Sequence, residues 1–81
     1  RISMKTMTCK QLGGACDETF SANTFEEMAE LSKAHGMEMF QKGDEAHLKV
    51  IAQMQMQMQD PAAMQMWFDT KRKEFEAHAD D

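Results

Sequence analysis

Cys9, Cys16 and His35 are the side chains of this sequence best suited to chemistry. Two thiolates and an imidazole supply three ligands for zinc or copper, leaving His47, an acidic side chain or water to complete the shell. The C-x6-C gap is wider than the roughly two to four residues of a tight zinc knuckle, so spacing alone does not select a metal. A disulfide needs only that the two Cα atoms approach to about 5.5 Å across a turn. The plainest alternative is a pair of small, half-buried thiols beside a turn, with His35 filling a polar corner of the core. All three readings are open on the sequence.

Methionine is the second unusual feature, at 10 of 81 residues and several in M-x-M steps. Thioethers can hold Cu(I), but residues i and i+2 of a helix point about 200° apart. Met54 and Met56 therefore cannot share an ion, whereas Met54 with Met58, or His35 with Met39, has workable spacing. Core packing accounts for most of these methionines more simply, because the side chain is flexible, favours helices and fills irregular gaps. Met56 and Met66 fit a core poorly. The first lies at the margin of its apolar arc and the second points away from Met64 and Phe68, as expected of an adaptable binding surface.

The elements that must position these residues are legible in outline. Met4–Cys9 and Cys16–Ala22 read as two short strands around Gly13-Gly14, the strongest turn signal. A hairpin over residues 4–22 brings Cys9 near Cys16, although its long loop leaves the register open. Thr24 and Glu27 form a capping box, and Phe25, Met28, Ala29, Ser32, His35, Gly36, Met39 and Phe40 then keep one helical face. That stripe crosses Gly36 without a phase break, which predicts a helix over 24–42 with Gly36 at a close-packing point and Gly43 as a left-handed cap. The competing reading stops the helix at Gly36. Asp44 caps a second helix, 44–58, whose apolar residues cover about two-thirds of its circumference and call for neighbours on more than one side. Asp60-Pro61 opens a third helix, 61–78, with Met64, Trp67, Phe68 and Phe75 on one face and Lys71 carrying its charge outward. The expected fold is α+β and mostly helical: a β-hairpin followed by three α-helices.

Composition narrows the function classes. Net charge is −5, with 14 acidic and 9 basic residues, which disfavours phosphate backbones as partners. The one basic run, Lys71-Arg72-Lys73, is flanked by acids and reads as a solvated helix face. No run approaches the roughly 20 apolar residues of a membrane span, and there is no signal-peptide pattern, so the expected address is the cytoplasm with reduced thiols. Arg1, Ile2 and Ser3 precede Met4-Lys5-Thr6, which reads like a natural start. Residues 1–3 are thus expected to be a cloning scar and 4–81 a single small domain. The phosphate-loop, dinucleotide, zinc-protease and nucleophile-elbow motifs are missing, so an enzyme is not expected.

The run from Met4 to Cys16, MKTMTCKQLGGAC, together with Thr24-Phe25-Glu26-Glu27 and His35-Gly36-Met37, resembles the small bacterial and archaeal proteins of the family called domain of unknown function 1059. The resemblance covers about the first half of the chain and implies a compact hairpin-plus-helix unit, with no activity, substrate or cofactor attached. Family members commonly carry a further histidine shortly before the His-Gly pair, where this chain has Ser32, Lys33 and Ala34. From about Asp44 onward the resemblance gives no guidance.

Two expectations follow. The leading one is a non-enzymatic interaction module without a cofactor, a homo-oligomer or a binder of a protein partner, using Met54, Met56, Met58, Met66 and Trp67. The alternative is a thiol-based metal-binding or redox protein using Cys9, Cys16 and His35, with zinc or copper.

Overall fold

A computed structural model describes residues 4–79. The expected cloning scar at 1–3 and the acidic end Asp80-Asp81 lie outside the described residues. Strand β1 (Lys5–Thr8) pairs antiparallel with β2 (Thr19–Ala22), and helices α1 (Phe25–Lys42), α2 (Glu45–Gln57) and α3 (Pro61–Ala77) follow. The α+β, mostly helical architecture matches the expectation. The second strand begins at Thr19 rather than Cys16, because the chain bends through residues 15–16 before the ladder starts.

The hairpin has two unlike faces. Met7 lies opposite Phe20 and Lys5 opposite Ala22 on the inner face, while Thr6, Thr8, Thr19 and Ser21 form the outer one. Period-2 alternation thus turns the apolar side chains toward α1 and α3. Met7, Leu12, Ala22, Phe25, Met28 and Phe75 form the buried cluster, with Phe20 and Phe68 packed on it. Phe25 and Phe75 meet edge to face at 6.1 Å, joining the start of α1 to the end of α3. The Lys5 ammonium reaches the His78 carbonyl just beyond α3, fastening that end to β1.

Each helix starts as its sequence requires. Thr24 accepts from the Glu27 N–H at 3.1 Å, and Asp60 accepts from the Ala62 N–H at 3.0 Å ahead of Pro61. Helix α1 runs unbroken through Gly36 and ends at Gly43, whose φ of 73° is the left-handed cap conformation.

Three local expectations need correction. Gly36 is no close-packing point, since a Cβ there would meet nothing within 4 Å. Phe40, placed on the packed stripe by its spacing, is 57% exposed, because the apolar face of α1 runs on beyond the hairpin that covers its start. Lys71 brings its charge to the surface but not into open water: its ammonium donates to the Gln11 carbonyl at 2.9 Å, pairs with the Glu74 carboxylate at 3.4 Å and lies 5.9 Å from the Trp67 ring. The central helix is α1, which packs on β2, α2 and α3. Helix α2 instead lies to one side, and His47 is its one fully buried residue.

Candidate metal centre

Three separate pieces of backbone deliver four donor atoms to one place. The hairpin loop brings Cys9 and Cys16, the middle of α1 brings His35, and the first turn of α2 brings His47, with all four ligand atoms within 4.8 Å of one another. Cys9 Sγ is 3.6 Å from His47 Nε2, and Cys16 Sγ is 3.3 Å from His35 Nε2. Metal–sulfur bonds of about 2.3 Å and metal–nitrogen bonds of about 2.0–2.1 Å give a tetrahedron with S···N edges of about 3.6 Å. The Cys9–His47 separation of 3.6 Å matches that figure, the Cys16–His35 separation of 3.3 Å is slightly shorter, and a separation at the 4.8 Å limit needs to close by about 1 Å to complete the cage.

The loop is shaped around the Cys9 sulfur. The Cys9 N–H donates to the Glu18 backbone carbonyl at 2.7 Å, its carbonyl accepts from the Gly14 N–H at 2.7 Å, and the Lys10 backbone N–H donates to the Cys16 carbonyl at 3.0 Å. Ladder register would set Cys9 opposite Glu18; it is the inward curl of the loop that returns Cys16 to Cys9. Gly14 makes the curl possible, since a Cβ there would lie 2.1 Å from Cys9 Sγ. Burial pushes the Cys9 thiol up from its ordinary value and the adjoining Cys16 adds to the rise, while backbone hydrogen bonds from residues 15 and 16 oppose it.

His47 is held from behind. Its Nδ1 donates to Asp44 Oδ2 at 2.6 Å, and the same oxygen accepts from the His47 backbone N–H at 3.0 Å. One carboxylate therefore caps α2 and fixes the imidazole tautomer that leaves Nε2 free to coordinate. The hydrogen bond from His47 holds the Asp44 carboxyl below its usual range. The His35 ring meets Phe20 edge to face at 5.5 Å and His47 at 5.3 Å, and these contacts limit its rotation together with the one from Nε2 to Cys16 Sγ.

The cluster separates two surface features. Cys9 and His47 wall an apolar groove of about 380 Å³ between the loop, α1 and α2, edged by Gly36, Met37, Phe40 and Met54. On the other side, Cys16 and His35 border a shallow depression with Asp17, Glu38 and Lys42. Cys9 and His47 are 4% and 3% exposed, whereas Cys16 is half-buried and reachable from the depression.

The three residues expected from sequence are together, and His47, one of the options considered for the last position, joins them. Asp44 was readable as a cap but not as the partner of His47. The signal is present in D-x-x-H, because the third helical residue faces back toward the cap. The residues expected at an interface differ in exposure. Met56 and Met66 are 73% and 69% exposed and Met58 is 39% exposed. Met54 and Trp67 instead cover the loop: a Cβ on Gly13 would lie 3.4 Å from Met54 Cε and 3.2 Å from Trp67 Cζ2. Among the described residues, no helix is long and apolar enough to cross a membrane. No family model, curated protein or solved structure matches the chain.

Proposed function

We propose that this protein is a zinc-binding module in which Cys9, Cys16, His35 and His47 close a tetrahedral Cys2His2 centre that fastens the hairpin loop to α1 and α2. The observation that carries the reading is the convergence of four such donors, from segments 38 residues apart in sequence at the extremes, to within 4.8 Å of one another, with two S···N separations at 3.3 and 3.6 Å against the roughly 3.6 Å of a zinc tetrahedron. Two sulfurs and two imidazole nitrogens favour zinc over copper, because S2N2 in a tetrahedron matches its ligand preference. Two thiolates also neutralise a divalent ion, so the loaded centre carries no net charge into its half-buried position.

The role is structural rather than catalytic. Four protein ligands leave no open position for a substrate or an activated water. Helix α2 supplies His47 as its one buried residue, so a metal bond there strengthens an attachment that otherwise rests on half-buried side chains such as Val50, Ile51 and Met54. Protein purified without an affinity tag should contain one zinc per chain by elemental analysis, and Cys16→Ala and His47→Ala should each lose it. A reduced, folded wild-type chain that takes up no zinc in competition with a chromogenic chelator would rule the centre out.

Self-association is a second reading, favoured by the exposure of Met56 and Met66. Light scattering over a concentration series should then show a growing mass that Met56→Gln with Met66→Gln abolishes. A constant monomer mass ends it.

A further inference from the structure

We propose that Cys9 and Cys16 are an oxidation site, at which a hydroperoxide converts the thiolate pair to a disulfide and ejects the metal; the ejection rests on the zinc-centre reading above. The two sulfurs belong to the group of donors within 4.8 Å of one another, so disulfide closure is a small movement inside one loop. The backbone on both sides is already held side by side, because hydrogen bonds join residue 9 to residue 18 and residue 10 to residue 16. Gly14 leaves free the path beside Cys9 Sγ that any larger side chain would occupy.

The two cysteines differ in access, and this orders the chemistry. Cys9 is 4% exposed and faces the helices, whereas Cys16 is half-buried and borders the depression beside His35. Cys16 is therefore the sulfur that meets the oxidant. Its thiolate attacks one peroxide oxygen, the O–O bond breaks, and the departing oxygen takes a proton from solvent, leaving a sulfenic acid on Cys16. The Cys9 thiolate then attacks Cys16 Sγ; the S–S bond forms, the S–O bond breaks, and the released hydroxide takes a second proton to become water. Two thiolates, one hydroperoxide and two protons give a disulfide, an alcohol (or water, from hydrogen peroxide) and water. The sulfurs lose two electrons and the peroxide gains them. Zinc, having lost both anionic ligands, leaves as the divalent ion, and His35 and His47 no longer share a bond partner.

The sequence supplies a direct readout. Lys10 stands between the two cysteines, so trypsin separates Cys9 in the peptide 6–10 from Cys16 in the peptide 11–33 unless a disulfide joins them. Exposed Met56 and Met66 will also gain oxygen, but that adds mass without linking peptides. Zinc-loaded protein treated with hydrogen peroxide should release one zinc for each joined peptide pair formed, and dithiothreitol with added zinc should restore both. Amide exchange across 45–57 should quicken by about ten-fold or more in the oxidised form. Cys16→His, which keeps four possible ligands but only one thiol, should hold its zinc through the same treatment. Retained zinc with two alkylatable thiols, or sulfinic acid on Cys16 with no joined peptide, overturns the switch and leaves the metal centre standing. Absence of zinc uptake by the untreated chain overturns the metal centre, and the ejection step with it.

Discussion

Asp44 performs two tasks with one carboxylate, and a single substitution separates them. As a helix cap it satisfies the His47 backbone N–H; as the partner of Nδ1–H at 2.6 Å it aims Nε2 at the donor cluster. Asparagine caps helices about as well as aspartate but is a neutral, weaker acceptor for an imidazole N–H. Asp44→Asn should therefore leave the metal-free chain nearly as stable as wild type while weakening zinc binding by about 10- to 100-fold, the usual cost of losing a carboxylate behind a ligating histidine. Competition with a chromogenic chelator measures the second effect and urea unfolding of the chelated protein the first. Equal zinc affinities would mean that packing against His35 suffices to orient His47. Gly36 offers the opposite kind of test, because its role is not packing. A Cβ there meets nothing within 4 Å, and mid-helix glycine costs about 0.8–1.0 kcal/mol relative to alanine. Gly36→Ala should raise stability by roughly that amount, read from the urea midpoint at unchanged slope. A loss of stability would reveal crowding that the static packing does not contain.

At the scale of elements, α2 is the piece most dependent on the centre. The hairpin, the first half of α1 and the end of α3 share the buried cluster from Met7 to Phe75, while Val50, Ile51 and Met54 of α2 are only half-buried. Removing the metal should accordingly be felt unevenly. With a chelator present, amide exchange should accelerate over 45–57 well before it does over 5–8, 19–22 and 25–30, because local opening follows the elements with least buried apolar area. Uniform acceleration would show that α2 and the core unfold as one unit. The same asymmetry explains what was legible beforehand. Thr24, Asp44, Asp60-Pro61 and Gly43 carry the backbone chemistry of helix ends in their own side chains, so the order of elements could be read locally. The placement of α2 could not. Its wide apolar arc predicts neighbours on several sides, and periodicity has no means of saying that α1 is the central helix instead. Cys9, Cys16 and His35 were identifiable by type, but their convergence with His47 depends on an inward curl at Gly14 and on the angle between two helices, neither of which has a sequence period. Lys71 is a smaller instance of the same limit, since only the folded loop presents the Gln11 carbonyl that captures its charge.

The described molecule is a slab of 38 × 30 × 15 Å, with a radius of gyration of 12.9 Å. An evenly packed globule of this length would have a radius near 11.7 Å, so the chain spreads its helices rather than stacking them around a deep centre. Met7 and Met28 are its largest fully buried side chains, and apolar side chains such as Met37, Phe40, Met56 and Met66 stay more than half exposed. Small domains with so thin a core commonly depend on a disulfide or a metal for the remainder of their stability. A ligand that binds the folded form alone adds about 4 kcal/mol when its free concentration is about a thousand times Kd. In a domain of 60–100 residues each kcal/mol moves Tm by about 4–8 °C, so that contribution corresponds to roughly 15–30 °C. Thermal unfolding followed by circular dichroism should therefore show the zinc-loaded protein melting at least about 15 °C above the same protein in excess chelator, with intermediate Tm values as free zinc is buffered upward. The dependence on free zinc is the decisive part, because a nonspecific effect of the chelator would give one shift that does not scale with buffered metal. Should Tm prove indifferent to zinc across that range, the slab must be held by its hairpin and aromatic contacts alone, and the four donors would be no more than neighbours.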